Sequence, residues 1–569
     1  MKVSYRRAIK VTGIVCLAFT LGACFSAFKG DKKNFEVIQN LDIFHSLFKE
    51  LNLSYVDEID SKKLIKTAID NMLKSLDPYT NYIPREDMED FKLQTTGEYG
   101  GVGSIISMSD TSMYIMVREI YPDKPAHKAG LKAGDLFLEV GGVDVRNKTV
   151  SEVSDLLRGK PDTDCKLKLL RNGKEINTVA HREKIQLNAV PYSTVLDGGV
   201  GYILLTSFTT NCADEVARCF KALKEQGATS MILDLRANPG GLLDESLKLA
   251  NLFIPRGSKI LSTKGRVQMN NRTYTATANP IDTVMPMVVM INRASASASE
   301  IVSGSLQDMD RAVILGQRSY GKGLVQTTRE IEYNNALKLT TAKYYIPSGR
   351  CIQALDYSHR DESGAVGYVP DSLISEFKTL HGRTVYDGGG ISPDVYLEPE
   401  KYSNISISLL AYNIPFFYAI KYVNEHPQIA DYKTFALTDA EYADFCDYVA
   451  KHKKFEYKSR TFEAVKELEK AAKYDKYFDE NSALFEQLRT NLKPQLKKDM
   501  EINKREILEL VESEIMIAKY YREGGLAHGL KFDNEVAEAV KVLQDKERYN
   551  GLLDGTVASH AGDKRKSNK

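Results

Sequence analysis

The hydrophobic periodicity of this 569-residue chain changes three times, and each change marks the start of a different folding unit. Apolar residues recur every three or four positions over 31–96, which predicts helices. Residues 97–185 instead show short strands between glycine turns, and residues 186–400 alternate strands with helices. From 401 to 569 helix-forming residues dominate. The sequence therefore predicts a multidomain α/β + β fold: a helical N-terminal unit, a β-rich unit, an α/β core and a helical C-terminal domain.

The first 24 residues have the features of a signal peptide. Four basic residues precede an apolar stretch, Val11–Ala23, that is too short to span a bilayer, which takes about twenty residues. The stretch ends in Leu21-Gly22-Ala23-Cys24, which resembles a bacterial lipobox and implies cleavage before Cys24 and lipidation of that residue. We therefore expect an exported protein on the periplasmic side of the cell envelope, held at a membrane through Cys24. An ordinary signal peptide and an uncleaved anchor are the alternatives.

Charge and cysteine usage bear on the class of function. The chain has 77 Lys and Arg against 76 Asp and Glu, a net charge of +1, which gives no electrostatic support for a nucleic-acid partner. Beyond the leader, an odd number of cysteines remains without CxxC spacing, and the nine histidines show no HExxH pattern. We therefore expect buried thiols, no disulfide framework and no bound metal. These cysteines are Cys165, Cys212, Cys219, Cys351 and Cys446.

A serine-rich turn in the α/β core is the first candidate for catalysis. The apolar strand Pro286–Ile291 is followed by residues 292–300, with the sequence NRASASASE, and helical spacing then begins. A serine at a strand-to-helix turn can be exposed and lie next to backbone N–H groups that have no partner within the helix. Taken alone, a run of Ser and Ala at a helix start is more often a cap or a close-packing device.

Two glycine turns in the same core are the other candidates. Leu233–Gly241 is a strand ending in two glycines, which let backbone N–H groups approach a ligand closely, although a plain turn fits it equally well. Gly316–Gly323 nearly matches the phosphate-binding motif GxxxxGK[ST]. Gly323 replaces the Ser or Thr, and β-like residues follow instead of a helix, so nucleotide binding is not expected. Lys322 stands among glycines beside a strand, where burial disfavours the ammonium form and favours a neutral base.

These segments occur in the order and spacing of a known family. Together they resemble the carboxyl-terminal processing peptidases, or tail-specific proteases, of the serine–lysine class S41, whose pattern is DLRxNPGG, then SASASE, then FGKG followed by VQ. The family places a lysine 25 positions after the nucleophilic serine and a glutamate three positions after it. In this chain only Ser297 meets both conditions, with Lys322 and Glu300. The match covers about residues 35–400, and Ala237 in place of Asn is a mild departure.

The resemblance implies a serine endopeptidase with an α/β core of the crotonase or ClpP type, acting without a cofactor. Its Ser–Lys dyad would cleave peptide bonds, with backbone N–H groups stabilising the oxyanion. The residues assigned in this way are Ser297 as nucleophile, Lys322 as general base, Gln326 for orienting the lysine, Gly240, Gly241 and Ala298 for the oxyanion hole, and Glu300 and Asp308 for support.

The β-rich unit resembles a PDZ domain. Its loop of Gly100, Gly101, Val102 and Gly103 resembles the carboxylate-binding loop of such domains, and the strand that begins at Ser104 follows it. Successive N–H groups in a loop of this kind hold a terminal carboxylate, and the strand edge pairs with an extended peptide. The implied partners are proteins or peptides with free C-termini.

We therefore expect an endopeptidase that cleaves unfolded or C-terminally tagged envelope proteins after its PDZ domain captures their C-termini. A homodimer is a further expectation, from the family's helical N-terminal unit. The alternative is a PDZ scaffold or holdase whose protease half is inert. An inert protein would be expected to lose Ser297 or Lys322, and the sequence keeps both.

Overall fold

The computed structural model describes residues 34–109, 114–361, 364–429 and 431–563. The expected signal peptide, residues 1–24, and the expected lipidation site Cys24 lie outside these residues. The chain divides into two compact units, one ending at Tyr82 and the other beginning at Ile83.

The first unit contains helix α1 (34–54) and helix α2 (Ser61–Lys74). Helix α2 begins at Ser61 because the Asp60 side chain accepts a hydrogen bond from the N–H of Lys63 at 3.0 Å, which satisfies one of the N–H groups that a helix start leaves open. After the helix the Asp77 carboxylate accepts from the N–H of Thr80 at 2.8 Å, which forms a turn.

An antiparallel sheet forms the β-rich part of the second unit. A short strand and a helix come before it: β1 (Asn81–Ile83) and α3 (Met88–Thr96). The strands of the sheet are β2 (Glu98–Gly101), β3 (Ser104–Met108), β4 (Ile115–Ile120), β5 (Leu136–Val140), β6 (Val143–Asp144), β7 (Thr163–Arg171) and β8 (Lys174–Gln186). They follow the order β2-β8-β7-β5-β4-β3, with β6 against β5, so β3 is an edge strand. Helices α4 (Pro125–Lys128) and α5 (Val150–Leu157) accompany the sheet.

A mostly parallel sheet forms the α/β core. Its strands are β9 (Tyr192–Leu196), β10 (Val200–Leu204), β11 (Ser230–Asp234), β14 (Met287–Ile291), β15 (Val313–Gly316) and β22 (Val395–Tyr396). They follow the order β22-β15-β14-β11-β10-β9, and only β9 among these strands runs antiparallel to its neighbour. The helices of the core are α6 (Cys212–Glu225), α7 (Leu243–Asn251) and α8 (Ala298–Asp308).

A second, antiparallel sheet carries the long hairpin that follows the lysine loop. Its strands are β12 (Lys259–Lys264), β13 (Arg272–Thr275), β16 (Leu324–Ile331) and β17 (Asn335–Tyr345), and they follow the order β16-β17-β12-β13. Two small hairpins come after it in the chain: β18 (Leu355–Arg360) with β19 (Val366–Tyr368), and β20 (Glu376–Lys378) with β21 (Thr384–Tyr386).

Helices make up the C-terminal region. They are α9 (Asn404–Ala411), α10 (Ile414–Glu425), α11 (Asp439–Lys451), α12 (Arg460–Tyr474), α13 (Ser482–Leu492), α14 (Leu496–Ile502), α15 (Lys504–Gly529), α16 (Asn534–Gln544) and α17 (Lys546–Asp554). Helix α15 is kinked at Tyr520 and Tyr521, and the φ of Tyr521 is +60°. Beside this kink, the Tyr521 hydroxyl lies 2.9 Å from Nε2 of His127, which belongs to α4.

Different helices cover the two faces of the parallel sheet. Because side chains alternate along a strand, Met231, Leu233 and Val289 point to one face, where they share a core with α6, α7 and α8. Ile232 and Val288 point to the other face. That face packs against Val536, Ala539, Val542 and Leu543 of α16 and Tyr549 and Leu552 of α17. The last helices of the chain therefore form one layer of the α/β core.

The cysteines Cys165, Cys212, Cys219, Cys351 and Cys446 are free thiols, each buried or half-buried, as the sequence predicted. Within the described ranges, no group of three or more His, Cys, Asp and Glu side chains is arranged to hold a metal ion. None of the described helices combines the length and the apolar character that crossing a bilayer requires.

Candidate active site

The neighbouring parallel strands β11, β14 and β15 bring three loops to one edge of the main sheet. The loop 235–241 follows β11, the turn 292–297 follows β14 and the loop 317–323 follows β15. These are the segments that the sequence selected as candidates for catalysis. Ligands of open α/β sheets bind at the carboxyl ends of the strands, so this edge is the candidate active site.

Ser297 lies in a strained turn between β14 and α8. Its backbone has φ 56° and ψ −112°, a combination that residues other than glycine rarely adopt. Its N–H donates to Oε2 of Glu300 at 2.8 Å, and its carbonyl accepts from the N–H of Ile301 at 2.9 Å. These bonds hold the strained residue at the start of the helix, where backbone N–H groups have no partner within the helix.

The serines on either side of Ser297 have structural tasks. The hydroxyl of Ser295 donates to the carbonyl of Leu235 at 2.7 Å, and that of Ser299 donates to the carbonyl of Asn238 at 2.9 Å. Both serines are fully buried, whereas Ser297 is partly exposed. Of these three serines only Ser297 is accessible from solvent, and its role as the nucleophile stays a prediction.

The carboxylate of Glu300 joins the serine turn to the lysine loop. The side chain is fully buried, and within the described residues it accepts four hydrogen bonds. Oε1 accepts from the Ser319 hydroxyl at 2.5 Å and the Gly321 N–H at 2.6 Å. Oε2 accepts from the N–H groups of Ser297 and Lys322 at 2.8 and 2.9 Å. One carboxylate therefore fixes the backbone of both residues that are expected to carry the chemistry.

Two effects act on the pKa of Glu300 in opposite directions. Burial is the larger one and raises the pKa to about 7, because the charged form loses its hydration. The hydrogen bonds from Ser319, Lys322, Gly321 and Ser297 favour the ionised form and oppose that rise.

Tyr344 connects Ser297 and Lys322 a second time. Its ring is buried, and its hydroxyl donates to the carbonyl oxygen of Lys322 at 2.6 Å and, less closely, to that of Ser297 at 3.3 Å. Lys322 itself is half-buried. Glu300 thus binds the backbone N–H of Lys322 and Tyr344 binds its carbonyl. These two contacts fix the position of the Lys322 backbone, from which the side chain extends.

Gly240 lies directly against the serine turn. A Cβ atom at this position, where φ is +98°, would lie 2.7 Å from the carbonyl oxygen of Ala296 and 2.9 Å from both the nitrogen of Ala298 and Cβ of Ser297. Only glycine fits there. The N–H of Gly240 donates to Oδ1 of Asn238 at 2.9 Å, so its contribution to an oxyanion hole stays a prediction.

Asn238 fastens the glycine turn to its surroundings. Its side chain is fully buried and donates through Nδ2 to the carbonyl of Leu205 at 2.8 Å, and its own carbonyl accepts from the N–H of Ala296 at 3.0 Å. Gly241 follows with a φ of +151°, and a Cβ there would lie 2.3 Å from the carbonyl oxygen of Phe208. The turn is therefore fixed both to the end of β10 and to the serine turn.

Gln326 lies on β16 at a β-bulge. The pairing with β17 shifts between Val325 and Gln326, and such a bulge changes the direction of a side chain. The Gln326 amide donates to Oγ1 of Thr340 at 3.2 Å. Its role in orienting Lys322 stays a prediction.

Asp308 supports the other end of α8. Its Oδ1 accepts from Nη2 of Arg350 at 2.8 Å and its Oδ2 accepts from the N–H of Ser348 at 3.0 Å. The side chains of Asp308 and Arg350 are both buried. At a rise of about 1.5 Å per residue, Asp308 is about 16 Å from Ser297 along the helix, so the pair stabilises the helix rather than taking part in chemistry.

The predicted peptide-binding loop is divided between a strand and a turn. Gly100 and Gly101 belong to β2, where they pair with Lys184 and Glu183 of β8, so the prediction that they form part of a loop is wrong. Glycine is required at position 100 because a Cβ atom there would lie 2.2 Å from the carbonyl oxygen of Gly159. This close approach, rather than a ligand, accounts for that glycine.

Val102 and Gly103 form the turn itself, directly before the edge strand β3. The carbonyl of Val102 accepts from the N–H of Ala126 at 2.7 Å, and that of Gly103 accepts from the N–H of Tyr121 at 3.1 Å. Gly103 has a φ of +76°, which favours glycine. The turn is thus fixed through its carbonyl groups and leads into the edge of the sheet.

Sequence reasoning gave no individual role to Tyr344, Asn238 or Ser319, although all three hold the catalytic segments together. Each of the three is a polar residue. A polar side chain that becomes buried needs a partner, and this was the available signal. The identity of the partner depends on loops that are distant in the chain, so the sequence did not reveal it.

Models of known families match four segments of the chain. Peptidase family S41 matches residues 199–358, and a PDZ domain matches residues 116–171. The probable PDZ-protease C-terminal helical domain matches residues 405–543, and the activating protease CtpB N-terminal domain matches residues 26–87.

Known relatives are similar over more than half of the chain. A carboxy-terminal-processing protease of Bartonella bacilliformis is 36% identical over 341 residues, which are 58% of this chain and 74% of that protein. The chain belongs to this S41 peptidase family. A probable CtpA-like serine protease of Staphylococcus aureus is 32% identical over 374 residues, 65% of this chain and 67% of that protein. A solved photosystem II D1 C-terminal processing protease is 28% identical, covers 63% of this chain and 92% of its own, and has a TM-score of 0.34.

Membership in the S41 family makes the chain a serine-type peptidase and confirms the predicted fold class. The helical N-terminal region, the PDZ domain, the peptidase core and the C-terminal helical domain all occur in this chain. The individual catalytic assignments, including Ser297 and Lys322, remain proposals.

Replacing Gly240 with Ala should lower peptidase activity strongly. The new Cβ would displace the serine turn, and the loss of one oxyanion contact alone typically lowers the rate on the order of 10²-fold. Gly227→Ala is the matched control, because Gly227 has a similar φ of +95° but open space around its Cβ position. Cleavage of an unfolded test protein measures both variants. Equal activities would contradict the steric argument.

Replacing Glu300 with Gln should change how stability depends on pH. The folded-state pKa of about 7 lies above the ordinary glutamate value of 4.5, so the unfolded chain loses this proton at lower pH than the folded chain. The stabilising contribution of the carboxyl is therefore full below about pH 4 and falls as the pH rises to about 7. The free energy of unfolding of the wild type should decline across that window relative to Glu300→Gln. Denaturant titrations at several pH values measure it, and parallel curves would contradict the expectation.

Proposed function

We propose that this peptidase is a serine endopeptidase in which Ser297 is the nucleophile and Lys322 the general base, and that it cleaves unfolded or C-terminally tagged proteins of the cell envelope. The observation that carries the proposal is the buried carboxylate of Glu300, which binds the backbone N–H groups of both residues. A contact of this kind fixes two segments from different strands relative to each other, which a nucleophile and its base require.

The reaction would begin with neutral Lys322. As Oγ of Ser297 attacks the carbonyl carbon of the scissile bond, the amine takes the hydroxyl proton, and it later gives that proton to the leaving amine. Water then hydrolyses the acyl-enzyme ester by the same route. Gln326 would orient the lysine amine. The role of general base requires a neutral amine at Lys322, which is half-buried.

The oxyanion would be stabilised by backbone N–H groups beside the serine. Ala298 is the first residue of α8, where N–H groups have no partner inside the helix. The glycine turn would supply the second donor, from Gly240 or Gly241. The N–H of Gly240 would then share its hydrogen between Asn238 and the oxyanion.

Replacing either member of the dyad should abolish cleavage. Ser297→Ala removes the nucleophile, Lys322→Ala removes the base, and Lys322→Arg keeps a cation that does not deprotonate at a workable pH. Lys221→Arg is the control, because Lys221 is exposed on α6. Mass spectrometry of an unfolded test protein detects the new termini. Full cleavage by Ser297→Ala would indicate a different nucleophile, whereas no cleavage by the wild type would favour the inert-scaffold alternative.

The PDZ domain would select substrates by their C-termini. The turn of Val102 and Gly103 leads into the edge strand β3, and an extended peptide can add to such an edge by main-chain hydrogen bonds. N–H groups at the preceding turn would donate to a terminal carboxylate more favourably than to a neutral amide. Gly100 and Gly101 lie in β2 and would contribute to the shape of this turn rather than to the contact.

Amidation of a substrate's C-terminus should therefore weaken its cleavage. We expect about a tenfold lower kcat/KM for the amide of an otherwise identical unfolded protein, because a charge-assisted hydrogen bond is lost. At saturating substrate the two rates should converge, since the catalytic centre is the same. Equal rates at low substrate concentration would contradict carboxylate capture.

The location would follow from lipidation of Cys24. The motif Leu21-Gly22-Ala23-Cys24 supports cleavage before this cysteine and attachment to an envelope membrane. Cys24→Ser should release the protein from the membrane fraction or leave its leader uncut, whereas Cys16→Ser, within the leader, should change neither. Unchanged fractionation together with an unlipidated N-terminus would favour an ordinary signal peptide.

A further inference from the structure

The start of helix α16 carries two carboxylates towards the active-site loops. Asp533 caps the helix by accepting from the N–H groups of Glu535 and Val536 at 3.0 and 2.9 Å. The side chains of Asp533 and Glu535 are mostly buried, with 20% and 17% of their surface exposed. This helix belongs to the C-terminal region, which has no task in the catalytic scheme above.

Arg236, in the loop after β11, binds both of these carboxylates. Its Nη2 donates to Oδ2 of Asp533 at 2.7 Å, and its Nη1 donates to Oε2 of Glu535 at 2.8 Å. The same guanidinium donates to Asp234, at the end of β11, with Nη2 to Oδ2 at 2.6 Å. Planar guanidinium groups held in this way have a defined orientation. Arg236 precedes Gly240 by four residues. Its contacts with the start of α16 therefore fix the position of the residue at which the loop to the glycine turn begins.

Gln317, in the loop after β15, binds the other oxygen of Glu535. Its Nε2 donates to Oε1 of Glu535 and, at 3.3 Å, to the carbonyl of Leu397. The residue is buried, and it precedes Lys322 by five positions. One oxygen of Glu535 therefore contacts the glycine-turn loop through Arg236, and its other oxygen contacts the lysine loop.

We propose that Glu535 is a positioning residue of this peptidase, which sets the separation between the glycine turn beside Ser297 and the loop that carries Lys322. The C-terminal domain would thereby complete the active site, and this inference rests on the proposed roles of Ser297 and Lys322. Small errors in the position of reacting groups lower turnover more than they weaken substrate binding. The effect of losing the contact should appear in kcat while KM stays nearly constant.

The test exchanges the donor and the acceptor across this contact. Glu535→Gln turns an N–H donor towards the Gln317 amide, and Gln317→Glu places two carboxylates against each other. In the double variant the new amide donates to the new carboxylate, while its oxygen still accepts from Arg236. The net charge of the double variant equals that of the wild type. Glu538→Gln is the control, since Glu538 lies on the same helix and pairs with Arg548 at 2.8 Å.

Steady-state cleavage of an unfolded protein and the unfolding midpoint are measured for the full-length chain. We expect each single variant to lower kcat about tenfold with KM changed less than about twofold, and the double variant to recover kcat to within about threefold of wild type. The control should keep its kcat. The proposal is overturned if the double variant is as slow as the slower single variant, or if activity only follows the folded fraction. If Glu535→Gln does not fold, Gln317→Glu and the double variant decide.

Failure of this inference can be distinguished from failure of the dyad. If Ser297→Ala and Lys322→Ala are inactive but the exchange shows no coupling, only the role of Glu535 is wrong. If Ser297→Ala remains active, the dyad is wrong whatever the exchange shows.

Discussion

The buried carboxylate of Glu300 is the contact on which the active-site arrangement depends. Ser297 and Lys322 follow different strands, and neither is held by the regular hydrogen bonds of the sheet. Glu300 accepts from the N–H groups of both, and the Tyr344 hydroxyl binds both of their carbonyls. Because burying a carboxylate is costly unless hydrogen bonds compensate for it, the loops must bring their N–H groups to this point for the core to be stable. Stability of the fold and alignment of the two residues therefore have the same origin.

The main sheet places the reacting segments, and helices from two parts of the chain hold the sheet. Helices α6, α7 and α8 cover one face, whereas α16 and α17 cover the other. The C-terminal helices thus pack on the peptidase core itself, and α16 also touches both loops beside the candidate site through Arg236 and Gln317. The C-terminal region therefore contacts both the sheet of the peptidase core and the loops of the candidate active site.

Local sequence patterns predicted the elements of the core well. The strand before the serine turn and helices α6 and α7 follow from periodicity. The choice of Ser297 among three serines came instead from the resemblance, through the family's spacing to Glu300 and Lys322. Contacts between distant segments were not predictable in this way. Nothing in the pattern of Arg236 indicates that its partners are Asp533 and Glu535, and the glycines at 100 and 101 resembled loop residues although close packing against Gly159 and Tyr99 explains them. Sequence periodicity reports on one element at a time, whereas such contacts depend on tertiary packing.

Helices α16 and α17 come after the strands that they cover, and this order has a consequence for biosynthesis. Ile232, Val288 and Met290 lie on strands that are translated before these helices. Until then this apolar face has no intramolecular cover, and such surfaces aggregate or bind chaperones. A chain without α16 and α17 would therefore expose this apolar face, and it would also lack the contacts of Glu535 with Arg236 and Gln317. Order of synthesis alone would therefore delay proteolysis until α16 and α17 have been made.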